Sequence, residues 1–162
     1  MYTTLSNVLL GAAWGLVMAT SAPPPFLLDL AAFATFNTIL VFVATYAMAV
    51  INPASFPAVF GPTIAGGPAA GVFATDFAAH VLPMLAAVSL LRTAVPSIRV
   101  GWRHVALPLL IGITYATLVD TPRVYDTGAL RRLLDPLTAA VVVAAYVAAA
   151  FVVSIVQNRR ST

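Results

Sequence analysis

Residues 72–94 read VFATDFAAHVLPMLAAVSLLRTA. The run is long and apolar enough for a membrane-spanning helix. It nevertheless carries Asp76 and His80, four residues apart and so on one face of a helix. Ionisable groups within hydrocarbon are costly, and they turn toward a protein interior or a wet cavity. Pro83 follows three residues after His80. It withdraws one helical N–H and loosens the backbone there. The rest of the chain is expected to pack as a small apolar bundle around this point.

Composition supports that frame. Of 162 residues, 61% are hydrophobic and 8% are charged, against roughly 25% charged in a soluble domain. The expectation is an all-α, polytopic, integral membrane protein. There is length for four or five spans of about 20 residues and little left for a soluble domain. The net charge is +3, carried by arginine alone. An excess this small sets topology rather than binding nucleic acid. The absence of cysteine excludes disulfides, thiolate zinc sites and cysteine nucleophiles.

Five spans are expected, at about 5–21, 28–50, 72–93, 105–119 and 133–156, in a single membrane domain. The first ends Ala-Thr-Ser-Ala, loosely like a signal-peptide cleavage site. No Lys or Arg precedes it and Pro23 would follow the cut, so a retained span is expected. Gly11 and Gly15 form a G-x-x-x-G pair suited to close helix approach. Asp29 is read at the start of the second span, where negative charge suits a helix N-terminus. Residues 51–71 hold four prolines, four glycines and no charge. They form either an interfacial loop or a re-entrant segment. Asp135-Pro136 reads as cap and first turn of the last span.

Orientation follows arginine. Arg92, Arg99 and Arg103 lie in the loop after span three, and Arg159 and Arg160 in the C-terminal tail. With five spans these share one side, the cytoplasmic one, and the N-terminus lies outside. The loop after span four also carries Arg123, Arg131 and Arg132, which weakens the asymmetry.

His80 is the strongest candidate for chemistry. A neutral imidazole accepts a proton near pH 7, and a carboxylate one turn away fixes its tautomer. That is the base-and-orienter half of a triad. The plainer reading is a polar pair bonded across helices for packing. A nucleophile would have to be a hydroxyl: Thr20, Thr75, Thr38, Thr45 and Ser89 are available. No G-x-S-x-G elbow is present, which excludes an ordinary α/β-hydrolase. Asp120, Asp126 and His104 lack metal-ligand spacing and read as solvated or salt-bridged; no metal and no cofactor is expected.

Four pieces in order carry a likeness: LGAAWGLVMATS (10–21), ATYAMAVINP, DFAAHVLPM (76–84), and VYDTGALRRLLDP leading into AAYVAAAFVVSIVQN. Together they resemble the androgen-induced and androgen-dependent membrane proteins, the intramembrane threonine hydrolases. The resemblance implies hydrolysis of lipid esters, such as fatty acid esters of hydroxy fatty acids, with a threonine nucleophile and a histidine base. By position Thr20 would be the nucleophile and His80 the base; Asp76 is added from its spacing alone. The chain departs from the family in lacking one N-terminal span and in a shorter segment after Thr20. One conflict accompanies that assignment. Thr20 and His80 differ in expected depth by roughly 10 Å or more, whereas a nucleophile and its base approach to about 3 Å. Two other functions fit the residues: a small proton-coupled carrier relaying through Asp76 and His80, and a non-enzymatic membrane subunit. The expected partners are the bilayer and a lipid substrate, not nucleic acid, and a homo-oligomer is compatible with the sequence.

Overall fold

The structure is a computed structural model that describes residues 2–51, 74–93, 98–118 and 136–158. Among the described residues all regular structure is helical. The helices are α1 (Tyr2–Ala19), α2 (Pro25–Ile51), α3 (Ala74–Thr93, with a π-helical stretch at Phe77–Val81), α4 (Trp102–Leu118) and α5 (Pro136–Asn158). Two stretches, Pro25–Ala47 and Ala74–Thr93, are long and apolar enough to cross a membrane. Thr3–Ala19 and Val143–Asn158 are shorter apolar helices.

The bundle is centred on α2, not on α3. Helix α2 packs against each of α1, α3, α4 and α5. From Ala31 to Leu40 only Phe33 escapes full burial. A helix apolar on every side has no face to give to solvent and takes the middle. Helix α3 instead leaves Phe77, Leu82 and Leu85 half exposed. The core gathers Ala13, Trp14 and Val17 of α1, Phe36 and Ile39 of α2, Ala87 and Leu91 of α3, and Ala149 and Val153 of α5.

Helix ends explain the shifted boundaries. The proline run Pro23–Pro25 closes α1, and Pro25 opens α2, a position where a missing N–H costs nothing. The Pro24 carbonyl accepts from Leu27 and Leu28. Asp29 therefore lies beyond the first turn of α2 and pairs with Arg103 instead of capping the helix. Pro136 is the first residue of α5, as expected, while Asp135 lies outside the described residues. Residues 52–73 and the loop after α4, with Asp120 and Asp126, also lie outside them. Gly11 and Gly15 are exposed, and a Cβ on either would meet nothing within 4 Å. Among the described residues, then, the pair mediates no close helix contact.

Polar bonds set the register of α1 on α2. Trp14 Nε1 donates to Thr35 Oγ1 at 2.9 Å, and Asn37 Nδ2 donates to Ser6 Oγ at 2.9 Å. Hydrogen bonds within a folded protein contribute about 0.5–1.5 kcal/mol net each. They specify which face meets which, while packing supplies most of the stability.

Candidate active site

The site begins with a proline. In an α-helix the carbonyl of Ala79 would accept from the N–H of residue 83, and Pro83 has none. The backbone widens just upstream into the π-helical stretch, where Leu82 N–H reaches back to Phe77 O. Such insertions recur at functional sites. The Ala79 carbonyl receives a donor from another helix: Asn7 Nδ2 of α1, at 2.8 Å.

His80 lies inside this widened turn and is buried, as is Asp76. Their side chains meet at 3.0 Å, His80 Nδ1 to Asp76 Oδ1. A carboxylate oxygen accepts, so Nδ1 donates, and in the neutral ring Nε2 is the acceptor nitrogen. On that side stands Thr3 Oγ1, 3.3 Å from Nε2. The second oxygen of Asp76 accepts from the Tyr46 hydroxyl of α2. The Tyr46 ring is held against Phe42 one turn earlier, with centroids 4.7 Å apart. Three helices thus converge on one line of contacts: Thr3 hydroxyl, His80 ring, Asp76 carboxylate, Tyr46 hydroxyl.

The structure brings Asp76 and His80 together and leaves Thr20 apart. Thr20 is exposed and donates to Leu16 O at 2.7 Å, the back-bond usual for threonine at a helix end. Thr3 and Thr20 occupy opposite ends of α1, about 25 Å apart along the axis. The anticipated depth conflict is therefore real, and a different threonine meets His80. Of the other hydroxyls weighed, Thr38 meets Ser6 Oγ at 3.2 Å, and Thr75 and Ser89 are exposed.

Sequence reasoning missed Thr3, Tyr46 and Asn7. Thr3 precedes the apolar run, so a hydropathy boundary at Leu5 excludes it, whereas α1 starts at Tyr2. The spacing of Thr3 and Asn7 was the available signal. They lie four residues apart, like Asp76 and His80, and so form a second polar stripe of the same period.

A second cluster lies near the other end of α2. Arg103 Nη2 donates to Asp29 Oδ1 at 2.5 Å. His104 Nε2 is 3.5 Å from the same oxygen, long for a hydrogen bond. His104 Nδ1 accepts from Gly101 N–H at 2.8 Å, closing the first turn of α4 as Glu does in a capping box. Burial first, then the Arg103 charge, pushes the His104 pKa below its ordinary 6.5; Asp29 offsets this in part. Among the described residues no hydroxyl faces the acceptor nitrogen of His104, which the Gly101 N–H occupies.

No family model, curated protein or solved structure matches the chain.

Proposed function

We propose that the chain is a multi-pass membrane protein whose spans lie within α1 to α5, the fourth beginning after His104, and that it hydrolyses lipid esters with Thr3 as nucleophile and His80 as general base. The observation that carries this reading is the contact line from Thr3 Oγ1 through the two ring nitrogens of His80 to Asp76. Support for the spans comes from a composition with 61% hydrophobic residues, from two helices of spanning length and from two shorter apolar ones. Site depth is consistent with a lipid ester. Helices α1 and α3 both begin near the site, which would put it toward one face of a bilayer, where an ester linkage lies.

Thr3 Oγ attacks the ester carbonyl carbon as its proton passes to His80 Nε2. The carbonyl electrons move to oxygen. As they return, the C–O bond to the alcohol breaks, and the alcohol leaves with the proton from His80. The acyl group is then on Thr3. Water, deprotonated by His80, attacks it, and the acid departs as Thr3 takes the proton back. Asp76 holds the Nδ1–H tautomer throughout and stabilises the imidazolium.

The same contacts support a second reading. A line joining three helices is also what interhelical glue looks like in a non-enzymatic subunit. A fluorophosphonate probe applied to membranes separates the two. The hydrolase reading expects wild-type labelling that is lost in Thr3→Ala and His80→Ala and kept in Thr20→Ala. Wild-type protein that is folded yet unlabelled, and inert toward lipid esters in detergent, favours the subunit.

A further inference from the structure

The two bonds between α1 and α3 described above differ in quality. Asn7 Nδ2 to Ala79 O is 2.8 Å, an optimal length, whereas Thr3 Oγ1 to His80 Nε2 is 3.3 Å, long for a hydroxyl donor. They lie one turn apart on α1 and meet consecutive residues of α3. The better bond is made to a carbonyl inside the widened turn beside Pro83, so its loss would take a partner from a polar group in an apolar setting. Ser6, beside Asn7, is tied to Asn37 and Thr38 of α2. Helix α1 is thus fixed to its two neighbours at adjacent residues, one turn from Thr3.

We propose that Asn7 is a positioning residue. Clasping the Ala79 carbonyl sets the height and rotation of α1 and so brings the Thr3 hydroxyl to His80. The Asn7 bond goes to the backbone of α3, and it acts by holding the helix that carries Thr3 against the turn that carries His80. The widened turn beside Pro83 presents the carbonyl, and Asn7 bonds to it. This inference rests on the hydrolase reading for its catalytic meaning and on the geometry alone for the clasp.

The test uses full-length protein in nanodiscs and two readouts. Asn7→Leu keeps the volume and removes the donor; Asn7→Gln returns a donor on a longer arm. Misplacing a reacting group by about 1 Å costs on the order of 100-fold. Fluorophosphonate labelling of Asn7→Leu is therefore expected to slow by about 10- to 100-fold at an unchanged half-saturating probe concentration, with partial recovery in Asn7→Gln. The second readout is the nitrogen resonance of the His80 ring, assignable because the chain has two histidines. In Asn7→Leu the Nε2 signal is expected to move while the Nδ1 bond to Asp76 persists. Folded Asn7→Leu with wild-type labelling rate and an unmoved Nε2 signal overturns the proposal. If wild type takes no label, the hydrolase reading fails separately, and the resonance alone decides whether the clasp positions Thr3. Should Asn7→Leu fail to fold, Asn7→Ala removes the same donor with less bulk, and both readouts are taken on it instead.

Discussion

Asp76 and His80 are placed on one helix by their spacing, whereas Asp29 and His104 are brought together from α2 and α4. The two pairs use the same residue types near opposite ends of α2 and reach opposite outcomes. At the first, both side chains are buried, Nδ1 is turned to the carboxylate, and Nε2 meets a hydroxyl. At the second, Nδ1 is occupied by the Gly101 N–H, and the carboxylate is held by Arg103 and is 44% exposed. A histidine that serves as a base needs an acceptor nitrogen facing the group it deprotonates. Nε2 of His80 faces the Thr3 hydroxyl, whereas the acceptor Nδ1 of His104 faces the Gly101 N–H. The two histidines differ in distance to the aspartate, 3.0 Å against 3.5 Å, and in the backbone N–H that occupies Nδ1 of His104.

The comparison breaks most sharply at the aspartates. Asp76→Asn keeps the shape and removes the charge that fixes the tautomer; in serine proteases the equivalent change costs about 10⁴-fold. A loss of on the order of 10³- to 10⁴-fold in labelling rate is expected for Asp76→Asn, and none for Asp29→Asn, in protein of matched expression. Equal effects at both positions would mean that labelling reports folding, not a base.

Tyr46→Phe sharpens the same contrast. It deletes the Tyr46 bond to the Asp76 carboxylate, keeps that of His80, and keeps the ring packed on Phe42. One charge-assisted hydrogen bond is worth roughly 1.5–3 kcal/mol. Only part of that reaches His80, so a decrease of about 10-fold in labelling rate is expected, without loss of the Asp76–His80 bond. A wild-type rate in Tyr46→Phe would limit the site to Thr3, His80 and Asp76.

These residues also divide what the sequence disclosed from what it withheld. The Asp76–His80 pair was readable because i, i+4 is a property of one helix. The loosened turn was readable because Pro83 has no N–H, and α3 and Pro136 followed by the same local logic. Thr3 was hidden by confusing two boundaries: apolarity begins at Leu5, but hydrogen bonding carries α1 back to Tyr2. Thr20 came from resemblance, and nothing local tied it to His80. Tyr46 and Asn7 act across helices, and which faces meet depends on packing that periodicity does not encode. The central place of α2 had a local sign, its all-round apolarity, that was overshadowed by the ionisable residues of α3.

The smallest expected effect lies at the second pair and follows from the His104 pKa. Burial and Arg103 hold it below 6.5, so as pH falls the unfolded chain takes up this proton before the folded chain does. Stability from this group is therefore undiminished above pH 6.5, declines below it, and levels off once pH passes the folded-state pKa. Protonation would also take the Nδ1 lone pair from Gly101 N–H, unfastening the first turn of α4. Thermal unfolding in detergent from pH 8 to 5 is expected to show this decline in wild type and a shallower one in His104→Gln. Arg103→Ala removes a neighbouring charge that depresses the pKa, so its decline begins at lower stability but is also shallower. Its Asp29 pair is exposed, and such pairs contribute about 0–1 kcal/mol. Parallel pH profiles for wild type and His104→Gln would assign the acid sensitivity to another group. That result would leave His104 a neutral cap, with no electrostatic part in the contrast with His80.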